Sequence, residues 1–68
     1  MIILKSKEGL KMKIIKKGFS KRSFARKNNI AESTFIQISN GKQSPRPFTA
    51  KKICEGLEVD FDDIFTVQ

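Results

Sequence analysis

The sequence predicts an all-α fold: a compact bundle of about five short helices. Three observations carry that prediction. Apolar residues recur at helical spacing, without the alternation a half-buried sheet requires. Glycine, asparagine and proline turn signals separate the apolar segments. The 68 residues suffice for one domain, which at this size buries only about 60% of its unfolded surface and holds one modest core.

The first helix is expected from about Ser6 to Lys17, with Leu10, Ile14 and Ile15 on one side, lysines over the rest, and Gly18 closing it in a left-handed turn. Ser20 is a good N-cap for a second helix, KRSFARK, which turns Phe24 and Ala25 inward and leaves Lys21, Arg22 and Arg26 wet. Asn28-Asn29 interrupts the pattern; asparagine tolerates positive φ, so a tight turn of three or four residues fits there. A third helix runs from about Ala31 to Ser39, with Ala31, Phe35 and Ile38 facing the core and Gly41 supplying the stop.

KQSPRP reads as a loop, because each proline restricts itself and the residue before it. Pro47 suits the first turn of a fourth helix in which Phe48, Ile53, Cys54 and Leu57 make the apolar positions, Phe48 partly exposed, and which ends near Leu57 with Glu58 at the usual glycine site. Asp60 and Asp63 resemble a capping box opening a short fifth helix through Phe61, Ile64 and Phe65. Residues 1–5 are a tail packing on the core, a short strand, or a patch joining two copies. Residues 1–68 thus form a single domain, with the helix-turn-helix at about 20–40.

Composition narrows the function. The chain has no histidine, one cysteine, and no acidic cluster outside its C-terminal end, so the materials for metal sites and acid–base catalysis are nearly absent. An enzyme is not expected, nor a cofactor, a metal or a small-molecule ligand. Cys54 cannot form an intramolecular disulfide, no leader pattern opens the chain, and the longest apolar run is Met1 to Leu4. The expectation is a soluble cytoplasmic protein with no membrane partner, associated with the nucleoid when bound.

Fourteen basic against seven acidic residues leave a net charge of +7. Residues 1–29 hold ten bases and one acid, whereas residues 53–68 hold five acids and no base. The positive end points to a polyanion.

One helix face is unlike the rest. On a wheel of about 100° per residue, Ser33, Ile36, Gln37 and Asn40 oppose the core side of the third helix, flanked by Glu32 and Thr34. Short hydrogen-bonding groups, one apolar residue and no lysine suit the DNA major groove, where each base pair presents a distinct pattern. Gln37 can pair with adenine, Ser33 can donate or accept, Ile36 can meet a thymine methyl, and Glu32 can accept from cytosine. Nearby lysines and arginines would bind phosphates and set the register.

The run SKRSFARKNNIAESTFIQISNGKQSPRP, continued by TAKKICEGLEVDFDDIF, resembles the Cro and lambda-repressor-like helix-turn-helix family, also called XRE-type, over about residues 6–65. The resemblance implies that the second helix braces the third, which enters the major groove. It puts Glu32, Ser33 and Gln37 at base-contacting positions, with Thr34 and Ile36 adjacent. Lys21, Lys42 and Arg46 match positions that touch the backbone, and Ser20, Arg22 and Asn40 join that set as their neighbours. Three residues depart from the family's pattern: Lys21 stands where glutamine is usual, Asn29 where the turn glycine is, and Ala31 where a Ser or Thr cap is.

The expected function is a sequence-specific double-stranded DNA-binding transcriptional regulator, a Cro-like repressor acting by promoter occlusion, similar to the short regulators of phages and mobile elements. A homodimer on an inverted-repeat operator follows from the few base pairs one helix can read. The acidic C-terminal end, with Phe65 and Val67, is a candidate dimer contact. The alternative is a protein-interaction module, antitoxin-like or a co-regulator, with DNA binding secondary. A membrane-surface peptide is a weaker alternative, since the core needs Leu10, Ile14 and Ile15.

Overall fold

The computed structural model describes residues 1–68. In order, the elements are β1 (Ile2–Leu4), α1 (Lys7–Lys16), α2 (Lys21–Lys27), α3 (Glu32–Ser39), α4 (Pro47–Leu57), α5 (Phe61–Ile64) and β2 (Phe65–Val67). Five helices make a bundle of about 30 × 20 × 18 Å. A two-stranded antiparallel ribbon joins its first and last segments, Ile2 opposite Val67 and Leu4 opposite Phe65. Of the three readings of residues 1–5, the short strand is observed, and it also packs on the core through Ile2 and Leu4.

Local chemistry explains the helix ends. Ser6 Oγ accepts from the Gly9 amide (2.9 Å), and Gly18 follows α1 at φ +85°. Ser20 and Ser23 cap α2 reciprocally: Ser20 Oγ accepts from the Ser23 amide (3.1 Å) and Ser23 Oγ from the Ser20 amide (2.9 Å). Serine thus does at the third position what Glu or Gln does in the usual capping box. Asn29 takes the left-handed turn at φ 57°, which asparagine bears at lower cost than most residues. Pro47 occupies the first turn of α4, and Asp63 accepts from the Asp60 amide (3.0 Å) at the start of α5.

The core gathers Leu10, Ile14, Phe24, Phe35, Ile53 and Leu57 with smaller neighbours, and Ile2, Leu4 and Phe19 pack against it. Burying each large side chain contributes about 1.5–3 kcal/mol. Cys54 belongs to this core. Burial first, then the charges of Asp63, Asp60 and Glu55, push its thiol above its ordinary pKa, so it stays protonated.

Three expectations change. Ile15 is 53% exposed, because Leu10 and Ile14, four apart, define the inward line of α1 and Ile15 lies about 100° off it. Ala31 is exposed too, since it is the extended N-cap of α3 and not part of its inward stripe. Phe65 belongs to β2 and not to the last helix, which ends at Ile64. Its side chain is fully buried, so it cannot contact a second copy. Val67, at 66% exposure, remains on the surface.

Candidate nucleic-acid interface

α3 turns Phe35, Ile38 and Ser39 inward. Sequence spacing did not single out Ser39, although it lies four residues after Phe35 on the same side. Its buried hydroxyl donates to the Ile36 carbonyl at 2.9 Å, which removes the cost of placing it there. Opposite, Ser33, Gln37 and Asn40 are exposed, while Glu32, Thr34 and Ile36 are half-buried. The polar face foreseen is therefore present, though Ile36 offers less surface than Ser33 or Gln37.

α2 braces α3 at both ends and in the middle. At the C-terminal end, Lys21 Nζ donates to Asn40 Oδ1 (3.0 Å). At the N-terminal end, Arg26 Nε lies 3.1 Å from Glu32 Oε2. Between them the rings of Phe24 and Phe35 stand 5.2 Å apart, and Phe19 meets Phe24 edge-on at 5.6 Å. Because this scaffold is packed rather than hinged, the exposed face of α3 is held at a fixed angle to α2. Arg26 was expected only to stay wet; its pairing with Glu32 spans the turn, beyond the three- and four-residue spacings that a helical wheel can flag.

Two glycines shape the ends of α3. At Gly41, φ is +73°; its amide donates to the Ile38 carbonyl (3.0 Å) and the Lys42 amide to the Gln37 carbonyl (2.9 Å). That Schellman pattern fixes Lys42 immediately beyond the polar face, its side chain exposed. The other, Gly56, acts from α4. A Cβ there would stand 2.5 Å from Asn28 Oδ1, so only glycine lets the turn before α3 lie this close to α4.

The remaining expected backbone residues divide. Arg22 is exposed and its side chain enters neither ion pair of the chain. Ser20 spends its hydroxyl on the α2 cap, leaving its exposed position at the head of that helix. Arg46 precedes α4 and shares a cleft of about 260 Å³ with Thr34, Gln43 and Thr49. The structure thus brings Lys21, Asn40 and Lys42 together at one end of α3, and Arg46 beside Thr34 on its flank.

Among the chain's side chains no group of three or more His, Cys, Asp or Glu could hold a metal, and no helix is long and apolar enough to cross a membrane. A braced helix with an uncharged polar face, flanked by unneutralised cations, defines a helix-turn-helix protein of the DNA-binding class. Residues 9–68 match the family model described as the Cro/C1-type HTH DNA-binding domain, and the chain belongs to that family. The crystal structure of a "putative DNA-binding protein" from Bacteroides fragilis has the same fold: TM-score 0.73, 21% identity, over 97% of this chain and 100% of that one. No curated protein gives a significant match.

Proposed function

We propose that this protein is a sequence-specific double-stranded DNA-binding regulator that represses transcription by occluding a promoter. The observation that carries this is the exposed, lysine-free face of Ser33, Gln37 and Asn40 on a rigidly braced α3. Gln37 and Ser33 read base edges, Ile36 and Thr34 make flanking contacts, and Glu32 uses the carboxylate oxygen that Arg26 leaves free. Lys21, Arg22, Lys42 and Arg46 meet phosphates, Asn40 reaches the same backbone beside Lys21, and Ser20 presents the start of α2 to it.

A single helix reads too few base pairs to find a site in a genome, so the reading extends to a homodimer on two half-sites about 34 Å apart. The test is selection from a randomised duplex pool by the purified protein at about 0.1–0.2 M salt, where purely ionic binding is weak. Enrichment of an inverted repeat with half-sites one helical turn apart is the expected result. Recovery of no preferred sequence would reject base reading by α3.

A further inference from the structure

The β1 strand is paired along one side only. Its ladder with β2 is bonded at Met1 and Gln68, where each main chain donates to the other at 2.7 and 2.9 Å, and again where the Lys5 amide donates to the Ile64 carbonyl (2.9 Å). Antiparallel ladders alternate bonded and non-bonded pairs, so the N–H and C=O groups of Ile2 and Leu4 point away from β2. Neither residue bonds its main chain to a turn, loop or cap. Four unpaired groups in a row are a template for another strand.

These groups open into a groove of about 690 Å³ between β1 and the segment Gly41–Ser44. Its charged side chains are Lys5, Lys7 and Lys42, with no acid among those lining it; the Lys5 amine donates to the Asp62 carbonyl, so Lys7 and Lys42 supply the free cations. The Lys7 stem lies along Gly41, its Cδ 3.4 Å from where a Cβ would stand. The groove therefore couples an unsatisfied backbone edge to a cationic rim.

We infer that this groove takes an extended acidic segment of a partner protein, which adds to β1 as a third strand. The open edge selects an extended polypeptide, because main-chain hydrogen bonds supply the affinity in strand addition; nucleic acid has no such edge. The lysines select carboxylates. A second copy of this chain fits less well, since pairing β1 with β1 would bring another Lys5 and Lys7 into a groove that already holds three lysines. Lys42 is also among the phosphate-binding residues proposed above, so an occupied groove opposes DNA binding. That coupling rests on the DNA reading; strand addition does not.

The test uses the full chain without DNA and a fluorescein-labelled peptide alternating Glu and Val over about eight residues. Saturable anisotropy is expected, with shifts of the Ile2 and Leu4 amide resonances. Affinity should fall at least about tenfold when Lys replaces Glu in the peptide, and again when its alternate amides are N-methylated. Lys7→Glu, at an exposed first helical position that favours an acid, should weaken the Glu peptide about tenfold and improve the Lys peptide. Absence of saturable binding overturns the proposal. So does binding indifferent to N-methylation, which would be plain ionic attraction to a +7 chain. Release of a pre-bound duplex by the Glu peptide supports the Lys42 coupling; peptide binding without release rejects that coupling and leaves strand addition standing.

Discussion

Two residues that look misplaced for a helix explain themselves at the scale of single atoms. Gly56 sits inside α4, where alanine would ordinarily gain about 1 kcal/mol. The Asn28 amide blocks that gain, being part-buried and pinned through its Nδ2, which donates to the Phe24 carbonyl at 2.9 Å. Gly56→Ala should therefore lose about 1–3 kcal/mol of stability, and in an Asn28→Ala background the same change should become neutral or favourable. Denaturant unfolding of the four proteins as a double-mutant cycle measures it. Glu58 ends α4 in the left-handed region at φ 57°, a site that suits glycine, while its carboxylate pairs with Lys17. The Lys17 hydrogen bond, then its charge, hold the Glu58 carboxyl below the usual range. A lowered folded pKa stabilises above the ordinary glutamate value and is lost as pH falls through the folded one. Glu58→Gly relieves the backbone but forfeits that pair, so its melting temperature relative to wild type should rise as pH is lowered from about 7 to about 3.

At the scale of elements, α3 begins at Ala31 without a side-chain cap. Ala31→Ser should add about 1 kcal/mol of stability, read by thermal melting. Base reading and phosphate binding separate on the same helix. Gln37→Ala should cost about 1–3 kcal/mol at the selected site and almost nothing on random DNA, measured by paired titrations. The helices were legible because each carries its own punctuation: Ser20 before α2, Asn29 in the turn, Gly41 after α3, Pro47 opening α4. The polar face of α3 was legible for the same reason, since one helix holds all of it. The cross-element contacts were not. Lys21 with Asn40, Arg26 with Glu32 and Asn28 against Gly56 depend on how helices pack, which periodicity within one helix does not encode. Ile15 misled because an apolar residue beside a true core position reads as core until the packing line is known.

For the whole molecule the decisive property is charge asymmetry, with bases concentrated in residues 1–29 and five acids in residues 53–68. Counterion release makes each phosphate contact visible as about 0.9 in the slope of log affinity against log salt. Lys42→Ala should thus weaken all duplexes alike and flatten that slope by about one unit per site, as a salt titration would record. The ribbon is the part of the whole that the sequence hid most completely. Each strand is three residues long, too short for alternation to register, and its partner lies at the other end of the chain.

That pairing of Ile2 with Val67 also bears on the order in which the molecule assembles. Local helices form early because their contacts are near in sequence, whereas the ribbon must close almost the entire chain into a loop before its first hydrogen bond repays the lost entropy. Nucleation therefore falls to α2 and α3, with α1 packed against both, and the ribbon closes last. In the reverse direction its outer end, Ile2 against Val67, is the first part to fray, while the buried Phe65 keeps the inner end anchored on the core.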